Sequence, residues 1–244
     1  MARVVLQPKS TETLNTLSGL TVVMPTFMED AALVTKTYCE LSIRGAEVIV
    51  VDDGDTVDLD ESINEITYKP NMGYGYALKQ GILAASNKIV LTCDSDGQHS
   101  VDDVEKLYQV FKLHDDFAMV VGSRWNLEED WHRWFARKCL NFLASCISGH
   151  YLQDLNSGMR IFKRDIVVGY MPILCDTFSF TTSLTMSVVT DKHKMAYFPI
   201  TVQPRVYGKS RVKLFRDGLV TVYYIVWVGL ALRTRKLRNW LRGR

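Results

Sequence analysis

The 244-residue chain is long enough to bury one large core, and its 47% hydrophobic and 23% charged residues exclude an intrinsically disordered protein. The net charge of +2 is unevenly distributed: residues 205–244 hold eleven Lys/Arg and one acid, and the rest of the chain holds 18 basic residues and 26 acids. The basic C-terminal segment predicts an anionic partner, which is a membrane, a phosphate or a nucleic acid.

The cysteines and the N-terminal residues favour a cytoplasmic location. The five cysteines form no CxxC pair, and most have apolar neighbours, which predicts buried free thiols in a reducing compartment. The first nineteen residues are polar and lack the apolar region of a secretory signal peptide, so none is expected.

Strands and helices are predicted to alternate over the first half of the chain. Apolar runs predict strands at residues 20–24, 47–51, 65–68, 88–93 and 117–121. Helices are predicted at residues 29–43, 73–85 and 101–113. This alternation indicates a parallel sheet covered by helices on both faces, with ligands bound beyond the carboxyl ends of the strands. Further along, the sequence predicts helices at 131–148 and 178–190, irregular structure at 151–163 and a strand at 195–202.

Three of the predicted strands end at Pro25, at Asp52 and Asp53, and at Asp94, and the acids among these residues stand where a binding crevice is expected. Asp94 and Asp96 follow an apolar strand at positions i and i+2, so both carboxylates can point into one pocket and share a divalent cation. Oxygen ligands of this kind suit Mg²⁺ or Mn²⁺. Asp52 and Asp53 end another strand, where acids either accept hydrogen bonds from a nucleotide or form a turn with a helix N-cap.

Residues 218–232 form a fifteen-residue segment without a charge, and a run of basic residues begins at Arg233. A helix of this length rises about 22 Å, which is less than the roughly 30 Å of a bilayer's hydrocarbon core. The segment therefore predicts a helix lying on an anionic membrane surface, and a buried core helix with a solvated basic tail is the alternative. The chain accordingly divides into a catalytic domain, 1–211, and a membrane-associated element, 212–244.

Several segments, in chain order, resemble the motifs of family 2 glycosyltransferases with the GT-A fold. They are Met24–Glu29 ("PTYNE"), Asp52–Gly54 ("DDGS"), Asn71–Gly75 ("NxGxGxA"), Asp94–His99 ("DADGQH"), Asp154–Arg160 ("DxxSGFR") and Arg205–Arg211 ("RxxGxSK"). The set covers roughly residues 20–211 and is most similar to the branch of dolichol-phosphate mannose synthase and polyprenyl-phosphate sugar transferases. The resemblance implies the GT-A fold, an α/β structure with a mostly parallel sheet covered by helices.

The resemblance also implies a reaction and a set of site residues. The reaction is an inverting, metal-dependent transfer of a sugar from GDP-mannose or a UDP-hexose to a polyprenyl phosphate, at the cytoplasmic face of a membrane. Asp94, Asp96 and Gln98 would hold Mg²⁺ or Mn²⁺, and Asp94, Asp96, Asp154 and Arg160 would be catalytic. The residues expected to bind the substrates are Pro25, Glu29, Asp53, Gly73, Arg124, Arg205, Ser210 and Arg211.

Some positions depart from the family pattern. Residues 178–183 lack the acids of a "GFxFExE"-like segment, which either favours an acceptor that is already ionised or leaves Asp154 as the local acid. A lipid phosphate needs no strong general base, whereas a sugar hydroxyl does. Transfer to a glycan hydroxyl in polysaccharide or lipopolysaccharide synthesis and a non-catalytic nucleotide-sugar-binding module stay open. A nucleic-acid partner is not expected, because the uncharged segment beside the basic tail favours a membrane.

Overall fold

The structure, a computed structural model, describes residues 15–124, 130–203 and 214–242. Seven strands form one sheet. They are β1 (Leu20–Thr26), β2 (Glu47–Asp53), β3 (Glu65–Tyr68), β4 (Ile89–Thr92), β5 (Phe117–Arg124), β6 (Arg160–Lys163) and β7 (Lys194–Ile200). The strand order is β3-β2-β1-β4-β6-β5-β7. This mixed, mostly parallel sheet confirms the predicted α/β class.

Seven α-helices accompany the sheet in the described residues. They are α1 (Ala31–Ile43), α2 (Tyr74–Ala84), α3 (Val101–Lys112), α4 (Trp131–Ser148), α5 (Arg164–Val168), α6 (Phe180–Thr190) and α7 (Leu214–Arg242). Helices α1 and α3 begin where the side chains of Asp30 and Ser100 accept hydrogen bonds from backbone N–H groups of the first turn. Helices α1, α2 and α3 begin at Ala31, Tyr74 and Val101, within two residues of the predicted starts at 29, 73 and 101.

Strand β6 corrects the prediction of irregular structure over residues 151–163. It pairs antiparallel with both β4 and β5, and so enters the sheet between two strands that are otherwise parallel to their other neighbours. The strand has four residues, Arg-Ile-Phe-Lys, and only the central two are apolar. Such a short run with basic ends carries too little periodic signal to separate it from a loop.

The sheet separates two apolar layers. Side chains on alternate positions of β1 show the division, since Val22 and Met24 pack with α1 and α3, whereas Val23 packs with the layer that contains α2, α4, α6 and α7. Both faces are covered, which explains why the predicted strands are almost continuously apolar. The carboxyl ends of β1, β2 and β4 lie side by side at one edge of the sheet.

Helix α7 belongs to the apolar layer that also contains α2, α4 and α6. It packs against α4 and α6, and its buried side chains include Ile225, Val228 and Leu232. Among the described residues, no helix is both long enough and apolar enough to cross a membrane. The division of the chain at residues 211 and 212 stays a prediction.

The five cysteines are free, but Cys39, Cys139 and Cys146 are exposed, so the expectation that most are buried was wrong.

Candidate active site

The carboxyl edge of the sheet brings five predicted site residues into one chain of contacts. The hydroxyl of Ser95, between Asp94 and Asp96, donates to the Pro25 carbonyl over 2.9 Å. On the other side, the Asp53 carboxylate accepts from the backbone N–H of Gly73 over 2.8 Å, and the next residue, Tyr74, contacts Asp94. The ends of β1, β2 and β4 are thus tied together around the two carboxylates that follow β4.

The Asp94 carboxylate accepts a hydrogen bond on one oxygen and has an imidazole near the other. Tyr74 donates its hydroxyl to Oδ1 over 2.8 Å, and the imidazole Nε2 of His99 lies 3.8 Å from Oδ2. Burial raises the pKa of the Asp94 carboxyl group, but the nearby His99 imidazole and the Tyr74 hydroxyl outweigh burial, and the pKa lies below its ordinary value. Asp94 is therefore a carboxylate at neutral pH.

Gly158 leaves the space that the Asp94 carboxylate occupies. A Cβ at position 158 would lie 2.2 Å from Asp94 Oδ2 and 2.7 Å from its Cγ. Gly158 belongs to the segment that enters β6, and its carbonyl accepts a hydrogen bond from the Thr92 hydroxyl. The glycine of the "SGMR" segment is therefore required by the position of a carboxylate in the loop that follows the neighbouring strand β4.

Asp96 and Gln98 belong to the loop between β4 and α3. Asp96 is buried, and its Oδ1 accepts from the backbone N–H of Gln98 over 3.1 Å. The amide of Gln98 donates to the Gln203 carbonyl over 3.3 Å, and the backbone of Gln203 donates to the Gln98 carbonyl over 3.0 Å. Gln98 thus fixes this loop to the short segment that follows β7. Its role as a metal ligand stays a prediction.

Asp53 organises the loop that leads into α2. Besides Gly73, its carboxylate accepts from the backbone N–H of Met72 over 2.6 Å and from the Asn71 amide over 2.8 Å. The preceding Asp52 makes no such link and instead accepts from the Thr56 hydroxyl and the Val57 backbone. The predicted contact of Asp53 with the nucleoside stays a prediction, and the structure adds a second role in shaping this loop.

Arg124 and Asp154 form a buried ion pair with two parallel hydrogen bonds. Arg124 Nε donates to Oδ2 and Nη2 donates to Oδ1, each over 2.8 Å. Burial raises the pKa of Asp154, but the charge and the hydrogen bonds of Arg124 outweigh it, and the pKa lies below its ordinary value. A carboxylate held in this way is a weak proton acceptor, although the catalytic role predicted for Asp154 stays a prediction.

Arg160 is fully buried behind the site. Its guanidinium donates to the carbonyls of Leu155 and Ser157 and to the Thr185 hydroxyl of α6. Burial lowers the pKa of Arg160 to about 10, so the group keeps its charge at neutral pH. These contacts fix residues 155–158, and with them Gly158, against α6. The catalytic role predicted for Arg160 stays a prediction.

An aromatic pair that the sequence analysis missed lies beside Asp94. The rings of Tyr74 and Phe178 are stacked with centroids 5.6 Å apart, and Phe178 is partly exposed. The segment before α6 reaches this position because Gly73 and Gly75 leave room for the carbonyls of Asp176 and Cys175. The available signal was Tyr74 itself, an aromatic residue in a position that the "NxGxGxA" motif leaves open.

The remaining predicted site residues divide into two groups. Glu29 is half-buried in the loop between β1 and α1, and its predicted contact with the nucleoside stays a prediction. Arg205, Ser210 and Arg211 lie outside the described residues, so the structure does not place them.

The donor atoms around Asp94 fit Mg²⁺ or Mn²⁺ better than a closed structural metal site. Within the ranges that the structure describes, no group of three or more His, Cys, Asp or Glu side chains is arranged to hold a metal ion. Two carboxylates on a strand end supply hard oxygen ligands and leave further positions for substrate phosphates, as magnesium sites commonly do. Asp94 and Asp96 would therefore hold the ion together with the nucleotide.

Comparisons with known proteins establish the family. The sequence model described as "Glycosyl transferase family 2" matches residues 21–170, more than half of the chain. The chain belongs to this family and is a glycosyltransferase.

Its relatives include transferases that act on a lipid phosphate. The undecaprenyl-phosphate 4-deoxy-4-formamido-L-arabinose transferase of Enterobacter sp. (strain 638) is 23% identical over 230 residues, which cover 84% of this chain and 65% of that protein. An uncharacterized protein of Methanocaldococcus jannaschii is 30% identical over 212 residues, covering 78% of this chain and 84% of its own length. The chain thus spans slightly less than two thirds of the Enterobacter transferase.

Solved structures share the fold. Glucosyl-3-phosphoglycerate synthase from Mycobacterium tuberculosis, in complex with Mn²⁺, UDP-glucose and phosphoglyceric acid, superimposes with a TM-score of 0.65 at 17% identity, covering 91% of this chain and 82% of that one. Another crystal structure of the same enzyme gives a TM-score of 0.63 at 16% identity, with 89% and 83% covered. These likenesses support the GT-A-like fold.

Proposed function

We propose that this glycosyltransferase moves a hexose from a nucleotide-diphosphate sugar to a polyprenyl phosphate at the cytoplasmic face of a membrane, with inversion at the anomeric carbon. The observation that carries the proposal is the pair Asp94 and Asp96 at the carboxyl edge of the sheet, where Tyr74 and Gly158 fix the first carboxylate. The residues on the acceptor side, 178–183, contain no acid.

The donor half of the site is suited to a nucleotide diphosphate. Asp94 and Asp96 would hold Mg²⁺ or Mn²⁺, which neutralises the charge that develops on the departing nucleoside diphosphate. Asp53 shapes the loop at residues 71–73, and Pro25 is fixed to Ser95, so both belong to the same edge of the sheet as the two carboxylates, which supports nucleoside binding here. We assign nucleoside binding to this side of the edge, together with Glu29.

The acceptor half of the site favours a nucleophile that is ionised before it binds. Asp154 is paired with Arg124 and has a lowered pKa, which makes it a poor general base. A lipid phosphate oxygen can attack the anomeric carbon directly while the bond to the diphosphate oxygen breaks. Relatives named undecaprenyl-phosphate transferases support the same acceptor.

Helix α7 supports a membrane location, because it is apolar on two opposite sides. One side packs into the domain through Ile225, Val228 and Leu232. On the other side, exposed apolar residues recur at the spacing of a single helix face: they are Leu219, Tyr223, Val226 and Leu230. A helix of this kind can bury its outer face in a lipid interface while its inner face stays in the domain.

The function is tested by a screen of nucleotide sugars against three acceptors, with Mg²⁺ or Mn²⁺. The acceptors are a polyprenyl phosphate, the matching polyprenol without phosphate, and a soluble glycan. We expect sugar to appear on the lipid phosphate alone. Transfer to the glycan would instead support the hydroxyl-acceptor alternative, and binding of a nucleotide sugar without any turnover would support a non-catalytic module.

A further inference from the structure

One face of α4 carries four exposed aromatic side chains. Trp131, Trp134, Phe135 and Phe142 expose 69%, 49%, 58% and 72% of their surface. At 3.6 residues per turn, these four positions fall within an arc of about 100°. We call them the α4 aromatic stripe.

The opposite face of α4 packs into the domain. Leu140, Leu143, Ala144 and Ile147 belong to the apolar layer that also contains α6 and α7. The α4 aromatic stripe is therefore additional to the face that folding buries. Several exposed apolar side chains along one helix face mark a site of interaction with another molecule or a membrane.

The composition of α4 selects an anionic lipid surface as its partner. Residues 131–148 contain three Lys/Arg and no acid. Lys138 lies on the same face as the stripe, with its Nζ 6.0 Å from the centroid of the Trp134 ring. Tryptophan and basic residues together are typical of lipid–water interfaces. A second copy of the chain is a poorer partner, because a two-fold contact would bring Lys138 near its own equivalent.

The position of α4 agrees with this partner. The helix packs against α7, where a Cβ at Gly229 would lie 2.8 Å from Ile147 Cγ2. It also follows β5, whose last residue, Arg124, pairs with Asp154 at the candidate active site. We propose that the α4 aromatic stripe is a membrane-docking surface that inserts into an anionic bilayer beside α7. This proposal rests on the membrane location in the proposed function.

The test is binding of the full chain to vesicles of phosphatidylcholine with or without phosphatidylglycerol, in the absence of nucleotide sugar. The stripe variant changes all four aromatic residues to Gln, which keeps helix propensity. We expect it to lose on the order of tenfold or more in affinity for anionic vesicles, because its apolar insertion is removed. Lys138→Gln should weaken binding to anionic vesicles and leave binding to neutral vesicles unchanged.

A matched control changes exposed apolar residues elsewhere, Ile43, Leu83 and Leu113, to Gln. It should bind vesicles like the unchanged chain, and both multiple variants should keep the melting temperature. A further variant, Trp131→Phe with Trp134→Phe, should keep binding but show less tryptophan quenching by brominated lipids than the unchanged chain, since only the tryptophans outside α4 remain. That decrease would place these two side chains in the bilayer even if the stripe variant failed to fold.

Unchanged vesicle affinity of a folded stripe variant would overturn the proposal. If the same variant turned a dimer into a monomer in sedimentation, the stripe would be a protein interface instead. A variant of the outer face of α7, with Leu219, Tyr223 and Leu230 changed to Gln, separates the two proposals. If that variant alone loses vesicle binding, the membrane location stands and docking by α4 fails. Because no substrate is present, none of these results depends on sugar transfer.

Discussion

Gly158, just before β6, and Asp94, just after β4, lie against each other at the ends of two neighbouring strands, and the contact leaves no room for a side chain at position 158. A Cβ there would lie 2.2 Å from Asp94 Oδ2, so Gly158→Ala must displace the carboxylate. Because a displacement of about 1 Å can reduce a rate about 100-fold, we expect a loss of that order in kcat, with the fold retained. Steady-state kinetics with a metal titration would measure it.

Gly218→Ala is the matched control for this substitution. Gly218 lies in α7 with no atom within 4 Å of an added Cβ, so the alanine should leave kcat unchanged and stabilise the helix slightly. If Gly158→Ala were as active as Gly218→Ala, Asp94 would have no role that depends on its position.

Tyr74→Phe removes the hydroxyl that donates to Asp94 Oδ1 over 2.8 Å. A hydrogen bond to a charged group contributes about 1.5 kcal/mol or more, so we expect roughly a tenfold loss of activity and weaker activation by Mg²⁺ or Mn²⁺. The ring and its stack on Phe178 remain. Tyr151→Phe, at a side chain that is 79% exposed, should have no effect. A variant with normal metal activation would show that Tyr74 is only a packing residue.

Asp53→Ala should raise the KM for the nucleotide sugar more than it lowers kcat, because the expected contact is with the nucleoside. It should also lower the melting temperature, since Asp53 accepts hydrogen bonds from Met72, Gly73 and Asn71. Asn71→Ala removes one of these donors and keeps the carboxylate, so it separates the two effects. A normal KM with a collapsed kcat would contradict a nucleoside-binding role.

The Arg124–Asp154 pair predicts how stability depends on pH. The folded pKa of Asp154 is lowered relative to an unfolded value of about 3.9, so its stabilisation is present above the unfolded value and is lost as the pH falls through the folded value. Asp154→Asn should therefore destabilise the protein at pH 7 by about 3 kcal/mol, because it removes a buried carboxylate that accepts two hydrogen bonds from the Arg124 guanidinium. The difference in the free energy of unfolding between Asp154→Asn and the unchanged chain should become smaller as the pH falls, because Asp154 is then protonated in the unchanged chain as well.

Denaturant unfolding at a series of pH values would measure this effect. Asp116→Asn is the control, because Asp116 pairs with Lys194 at the surface, where such pairs contribute about 1 kcal/mol or less. Equal effects of the two substitutions at pH 7 would contradict the account of the buried pair.

The sequence predicted the structure best where a strand or helix is determined by the pattern of its own residues. Apolar strands ending at Asp53 and Asp94 predicted both the sheet and the edge at which the site lies. The roles of Arg160 and Gly158 could not be predicted, because both depend on contacts between residues distant in the chain. Arg160 bonds to Thr185, and Gly158 accommodates Asp94. Strand β6 was missed because its position depends on pairing with β4 and β5.

The most direct measurement is transfer of labelled sugar to polyprenyl phosphate by the full chain, compared with the polyprenol that lacks the phosphate. We expect labelled lipid from the phosphate alone, with its formation abolished by EDTA and by Asp96→Asn while the variant keeps the melting temperature of the unchanged chain. Undiminished transfer in EDTA or by Asp96→Asn would contradict the metal assignment. Equal transfer to the polyprenol would contradict the claim that the acceptor must be ionised.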